Sequence, residues 1–343
     1  MKKKLNGLWF FLLFNYSSQA LALSEQNYKS DYQEKIIPLL NQFQKKSFIG
    51  SKLVPIHYAK YASNEQSSRC LIILPGRSEP LEKYAEVVYD LNTGSLAGEY
   101  KFFLMDHRGQ GSSGRMIEKD PLDYFKGHVD QFENYSNDVK IFFDLIVNKS
   151  GCTEKNLLAH SLGAGIAVDF MQKNPEYIDR AFLSSPMLKI QTEPYSYSMA
   201  RTIVLASMAG GLGSKFAIGQ KTFSDERNFE LNRFTNSKAR YDMTMDIFDT
   251  YPQARLGGVT NRWLNEVMSG TWRMRFKYSE LKIPLRVAHA GIEMYSDKSE
   301  MIKLCEEAPY CNRMYLETSK HEVLMDKDIN RNRVFSEMEK FFK

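Results

Sequence analysis

The sequence predicts an α/β fold: a mostly parallel sheet flanked by helices on both faces and interrupted by one helical insert. Two observations carry this prediction. Between residues 70 and 186, short apolar runs of strand length alternate with amphipathic stretches of helix length, the pattern of parallel strands buried on both faces. The alternation then stops for about 90 residues and resumes near the C-terminus, and a connection that long usually has a function of its own, often as a lid.

In chain order, residues 28–47 read as an amphipathic helix, with Ile36, Leu39, Leu40 and Phe43 on one face. Phe48 to Tyr61 alternates loosely and predicts a hairpin. Strands are expected at Cys70–Leu74, Tyr100–Met105, Asn156–Ala159 and Ala181–Ser184, and helices at Pro80–Leu91, Asn134–Val147 and Leu162–Gln172. After the insert come a strand at Pro284–Ala290, a helix at Asp297–Glu307, a strand at Met314–Leu316 and a closing helix at Asn330–Phe342. The expected organisation is a leader at 1–22, a core at 23–186, a helical cap at 187–280 and the rest of the core at 281–343.

The leader stands apart from the rest. Lys2, Lys3 and Lys4 precede a short apolar run, Leu8 to Phe14, and Ala20-Leu21-Ala22 supplies the small residues of a cleavage site. Together these describe a secretory signal peptide, with a buried N-terminal helix or an uncleaved anchor as the alternative. The run is too short to span a bilayer, which takes roughly 20 apolar residues. The leader holds three lysines and no acid, so its removal lowers the net charge from +5 to +2. That charge, with no basic run, argues against a nucleic-acid partner. Four cysteines suit export. Cys305 and Cys311 could staple a helix end to the next strand, and Cys70 and Cys152 could be bridged if their strands are neighbours. Four free buried thiols are the alternative. No Cys/His cluster has metal-ligand spacing, so neither metal nor cofactor is expected.

The chemistry centres on Ala159-His-Ser-Leu-Gly163, where a predicted strand runs into Ser161 and a helix follows at once. Such a corner projects a serine hydroxyl from a strained turn, and small residues two before and two after the serine let strand and helix pass closely. A serine needs a base, and the base an orienting carboxylate. His321, after the last strand, stands where the base belongs. The acid should follow the preceding strand, where Glu293 and Asp297 are the candidates. Glu293 is nearer the strand end, and Asp297 reads as a helix N-cap. Backbone N–H groups of Leu162 and Arg77 are the expected donors to an oxyanion, Gly76 permitting the close approach.

These motifs, together with Pro75-Gly-Arg-Ser-Glu-Pro-Leu-Glu-Lys-Tyr84, Asp106-His-Arg-Gly-Gln-Gly-Ser-Ser-Gly114, His128-Val-Asp-Gln-Phe-Glu-Asn-Tyr135, Phe216-Ala-Ile-Gly219, Gly257-Gly-Val-Thr-Asn-Arg-Trp263 and Lys320-His-Glu-Val-Leu324, resemble the bacterial lysophospholipase branch of the α/β-hydrolases, close to the monoacylglycerol lipases. The resemblance runs from about Phe48 to the C-terminus. It implies Ser161 as nucleophile, His321 as base and a carboxylate at Glu293, where the family usually has aspartate. It also implies a lysophospholipid or monoacylglycerol substrate and transient contact with a membrane surface. Asp106 and Arg108 are expected to be structural. Met187, Tyr195, Tyr197, Met199 and Met208 are candidates for an acyl slot, and Arg227, Arg233, Arg240, Arg255 and Arg262 for a phosphate contact. A general carboxylesterase and a non-catalytic lipid-binding protein are the other readings.

Overall fold

The computed structural model describes residues 22–343, so all of the expected leader but Ala22 lies outside the described residues. Eight strands form one sheet in the order β1-β2-β4-β3-β5-β6-β7-β8. They are β1 (Gln44–Ile49), β2 (Pro55–Ala62), β3 (Arg69–Leu74), β4 (Lys101–Met105), β5 (Glu154–His160), β6 (Arg180–Ser184), β7 (Leu285–Ile292) and β8 (Cys311–Lys320). β1 and β2 run antiparallel to their neighbours, and the other pairs are parallel.

The N-terminal helical run is shorter than its periodicity predicts. α1 (Tyr28–Asp31) and α2 (Ile37–Leu40) are joined by a wider helical turn, and the chain leaves the helix after Leu40. Gln44–Ile49, expected to be helical as far as residue 47, is the edge strand β1. Only Phe48 of its six residues is buried. An antiparallel ladder with β2, from Gln44↔Lys60 to Ile49↔Pro55, therefore decides its conformation rather than local propensity.

The central strands alternate with period two between two apolar layers. Ile72, Leu74, Leu157, Ala159, Leu183 and Val287 face one side, beneath α4 (Glu133–Phe142) and α5 (Ser161–Lys173). Leu71, Ile73, Leu158, Phe182 and Ala288 face the other, beneath α3 (Ala85–Thr93) and α10 (Asp328–Phe342). Fully buried strands carry no polar alternation, which is why they read as continuous apolar runs.

Between β6 and β7 lie α6 (Tyr197–Ala209), α7 (Lys238–Thr250) and α8 (Asn261–Met274). Residues 210–237 form neither helix nor strand beyond one isolated bridge, Phe216↔Thr260. They are held by side chains such as Asn232, whose Oδ1 accepts from Phe234 N at 2.9 Å. α9 (Lys298–Glu307) completes the helices. No helix among the described residues is long and apolar enough to cross a membrane. All four cysteines are paired. Cys70–Cys152 ties β3 to the turn just before neighbouring β5 with Cα atoms 5.8 Å apart, and Cys305–Cys311 joins α9 to β8 across 4.8 Å. Two disulfides suit an oxidising compartment.

Candidate active site

The six adjoining parallel strands end on the same edge, so the loops after β3, β5, β7 and β8 converge there. β5 delivers Ser161 as the first residue of α5, with φ +50°, a left-handed backbone that a non-glycine residue seldom adopts. The corner is tight because neighbouring backbone presses on it. A Cβ on Gly163 would lie 2.3 Å from Pro75 O and 2.4 Å from Leu74 O, and one on Gly165 would lie 2.6 Å from Met187 O.

Ser161 Oγ lies 2.8 Å from His321 Nε2, and His321 Nδ1 lies 2.8 and 2.7 Å from the two carboxylate oxygens of Glu293. Glu293 Oε1 also accepts the N–H groups of Tyr295 (2.8 Å) and Ser296 (3.1 Å). Burial pushes the Glu293 carboxyl upward, but the hydrogen bond and charge of His321 and the two N–H donors outweigh it, leaving it below its ordinary value. Asp297 stands elsewhere. Its carboxylate caps α9 at Ser299 N (2.9 Å) and pairs with Lys189 at 2.6 Å.

Gly76 brings the loop after β3 against the serine, since a Cβ there would lie 3.2 Å from Ser161 Cβ. Gly76 N–H is committed to Glu79 Oε2 at 2.6 Å, whereas Arg77 N–H makes no hydrogen bond among the described residues. Leu162 N–H, in the first turn of α5, has no intrahelical acceptor. The Arg77 side chain lies over the Trp263 ring and donates to Gly257 O, crossing from core to insert. Its guanidinium forms no ion pair among the described residues, and burial lowers it to about 10.

A buried network that sequence reasoning missed joins the loops behind the serine. Lys83 Nζ bridges Glu79 Oε1 and Glu322 Oε1, each at 2.7 Å, and Tyr84 OH donates to Glu79 Oε2 at 2.7 Å. Only the i,i+4 spacing of Glu79 and Lys83 was visible in the sequence. Over the other side, Tyr295 stacks on Phe234 (ring centroids 4.8 Å) and its ring lies 5.1 Å from that of His321. Ser161 is only 7% exposed. Two surface grooves, of about 450 and 390 Å³, lie along α8 near Met274 and Trp272 and do not include Ser161.

Asp106 accepts from Leu81 N and Ser112 N, both at 2.8 Å, while Gly109 and Gly111 turn with positive φ. Arg108 clasps Asp138 at 2.7 and 2.6 Å. His128 Nδ1 meets Thr260 Oγ1 at 2.9 Å, and Trp263 donates to Tyr135 OH at 3.1 Å, so the 128–135 motif ties core to insert. Three arginines considered for phosphate are already neutralised. Arg227 pairs with Asp246 and Asp249, Arg240 with Glu86 and Asp328, and Arg255 with Asp249 and Asp225. The candidate acyl slot is also partly turned outward, with Met199 53% and Tyr195 41% exposed.

A family model described as serine aminopeptidase, S33, matches residues 65–328. The chain belongs to this family. The chain is similar to the probable lysophospholipase L2 of Haemophilus influenzae, 28% identical over 309 residues, covering 90% of this chain and 94% of that one. It is likewise similar to the lysophospholipase L2 of Escherichia coli K12, 27% identical over 303 residues and 86% of each chain. The fold is that of the α/β-hydrolases. A soluble variant of the Saccharomyces cerevisiae monoglyceride lipase superposes with a TM-score of 0.66 at 16% identity, covering 87% of this chain and 93% of that one. The Paleococcus ferrophilus monoacylglycerol lipase superposes at 0.61 and 18% identity, covering 84% and 99%.

Proposed function

We propose that the protein is a serine hydrolase that cleaves the acyl ester of lysophospholipids. The relay Ser161–His321–Glu293, with every contact within 2.7–2.8 Å, carries the reading. His321 Nε2 takes the hydroxyl proton as Ser161 Oγ attacks the ester carbonyl, and the backbone N–H groups of Leu162 and Arg77 receive the oxyanion. The carbon–oxygen ester bond breaks, the glycerol oxygen leaves with the proton from His321, and an acyl-enzyme remains. Water, activated by His321, then releases the fatty acid and restores Ser161. Glu293 holds Nδ1–H throughout and stabilises the imidazolium.

The relatives named lysophospholipase support an ester substrate, although the family description names a peptidase. An aminopeptidase needs a free carboxylate for the substrate ammonium, and the nearby acids Glu79 and Glu322 are both committed to Lys83. The Arg77 guanidinium, paired with no carboxylate among the described residues, supports an anionic head group over the neutral one of a monoacylglycerol. Residues 187–280 act as the cap, with Phe234 and Tyr295 over the site. The outward Met199 and Leu205 (48% exposed) of α6 support transient contact with a lipid surface. Disulfides and the leader motif support export of the enzyme.

Fatty-acid release from lysophosphatidylcholine, a monoacylglycerol and a short ester tests the assignment, with fluorophosphonate labelling of wild type and Ser161→Ala. Lysophosphatidylcholine is expected to be cleaved fastest and labelling to vanish in the variant. Equal labelling of the variant would overturn the nucleophile, and preference for the short ester would overturn the lipid substrate.

A further inference from the structure

The chain just beyond the leader motif enters a socket made of buried charges. Leu23 is 5% exposed, and its backbone nitrogen lies 3.0 Å from Oδ1 of Asp90, itself 5% exposed. Arg240 Nη2 donates to Leu23 O at 2.7 Å. Glu25 N donates to Asp328 Oδ2 at 2.9 Å, and the Glu25 carboxylate accepts from Ser237 Oγ (2.6 Å) and Asp328 N (3.2 Å). Residues from α3, α7 and α10 thus grip three consecutive residues, far more than a chain end ordinarily receives.

The charges of this socket do not balance. Arg331 pairs with Asp90 at 2.6 Å and Glu86 at 3.2 Å, and Arg240 with Glu86 at 3.0 Å and Asp328 at 3.1 Å. The buried side chains Glu86, Asp90, Arg240 and Arg331 balance two against two, while Asp328 (29% exposed) and the half-buried Glu25 add two carboxylates at the rim. The socket as a whole therefore holds more carboxylates than guanidiniums, with the surplus at its solvent-reached rim. The position facing the Asp90 oxygen that Arg331 leaves free is held by a nitrogen, that of Leu23. This is also the nitrogen that the Ala20-Leu21-Ala22 motif would release.

We propose that the Ala22–Leu23 bond is the processing site and that the new α-ammonium of Leu23 docks on Asp90 as a buried ion pair. Water is the co-reactant and the exporting cell's leader-removing protease the catalyst. The carbon–nitrogen bond breaks, Ala22 leaves as a carboxylate with the leader, and the Leu23 nitrogen takes up a proton. A neutral amide hydrogen bond becomes a charge-assisted one. Burial, reinforced by Glu86 and only partly offset by Arg331, pushes the Asp90 carboxyl up to about 6. The processed end then anchors α3, α7 and α10 together, joining core and insert.

The test begins with the full chain exported from a bacterial host. N-terminal sequencing of the recovered protein is expected to read Leu-Ser-Glu, and any other start overturns the proposal. The processed protein is then compared with a form that retains Ala22, in which Leu23 has an amide nitrogen. Retention should lower Tm by about 2–4 °C, and Asp90→Asn should remove the difference between the two forms. Equal Tm values in the wild-type pair overturn the docked ammonium. An amine-reactive probe gives a second measurement should Asp90→Asn fail to fold. The processed end should label at least tenfold more slowly than the Ala22 end, and equal rates also overturn the docking. Both forms should cleave ester alike, so failure here leaves the role of Ser161 untouched.

Discussion

Glu293→Gln is the most informative perturbation of the relay, because the structure dictates how the amide must sit. Glu293 Oε1 accepts both Tyr295 N–H and Ser296 N–H, so the glutamine carbonyl oxygen belongs there. The amide NH₂ then occupies the Oε2 position, 2.7 Å from His321 Nδ1. A donor facing Nδ1 forces the proton onto Nε2, the atom that must accept it from Ser161. Loss of the correct tautomer and of the charge facing the imidazolium costs about 10⁴ in kcat in hydrolases of this design, or roughly 5 kcal/mol at 1.36 per tenfold. KM should change little, because the side chain is behind His321 and not in contact with substrate. Glu293→Asp tests reach: one methylene fewer withdraws the carboxylate by about 1.5 Å, so activity should also fall unless the loop follows. The assay is steady-state acyl-ester hydrolysis, with Asp297→Asn as control. Removing the charge of a helix cap should cost about 1 kcal/mol of stability or less and little activity. If Glu293→Gln stays within tenfold of wild type, or Asp297→Asn loses as much, Glu293 is not the orienting acid.

Other expected outcomes follow from the same geometry. Gly163→Ala should lose activity and about 3 kcal/mol or more of stability, measured by urea unfolding, because the new methyl meets the backbone oxygens of Leu74 and Pro75; an unchanged Cm would contradict the close approach. Lys83→Met should destabilise by about 3–5 kcal/mol, since it leaves Glu79 and Glu322 buried without their shared cation. At temperatures where this variant is folded, kcat should fall more than KM rises, because the loops of Gly76 and His321 both lose their tie. Burial lowers His107 and His160 from 6.5 to about 4. A folded value below the unfolded one means stability present above pH 6.5 and lost as pH falls toward 4. Each histidine should contribute about 1.4 kcal/mol per pH unit in that window, and His160→Gln should flatten the dependence measured by urea unfolding between pH 7 and 4.5.

The strands from Cys70 onward were legible because they are buried on both faces, and burial on two faces leaves an unbroken apolar run. Gln44–Ile49 was not, because an edge strand with one buried residue has little to say in its own sequence; the partner strand decides its state. The relay was legible from order along the chain. Glu293 stood nearer the strand end than Asp297, and Asp297 carried the signature of a helix cap, which is the role it has. The Glu79–Lys83–Glu322 network was hidden because it joins residues more than 200 positions apart, and only the folded loops bring them together. The arginines of the insert misled for a related reason. Their number was visible, but the carboxylates that neutralise Arg227, Arg240 and Arg255 could not be assigned without the fold.

The imperfect serine motif shows how steric pressure, rather than identity, determines what a position tolerates. Ala159 stands where glycine is usual, and Ala164 follows Gly163 where a second glycine is common. Both alanines are fully buried among apolar neighbours on the α4–α5 side of the sheet, so their methyls add packing. Gly163 and Gly165 instead face carbonyl oxygens, of Leu74 and Pro75 in one case and Met187 in the other. A methyl against a side chain can be absorbed by a rotamer, but against backbone it moves the loop. At Gly163 that loop carries Gly76 and Arg77. Displacing it by even half an ångström would separate the Arg77 and Leu162 N–H groups that the proposed mechanism needs together. Alanine is therefore acceptable at 159 and 164 and excluded at 163, and the motif should be read as a map of backbone approach. On that reading, Ala164→Gly should leave catalysis nearly unchanged while removing a buried methyl and adding backbone entropy, at a cost of about 1 kcal/mol. A large kcat loss in that variant, with Tm unchanged, would show that residue 164 positions the nucleophile directly.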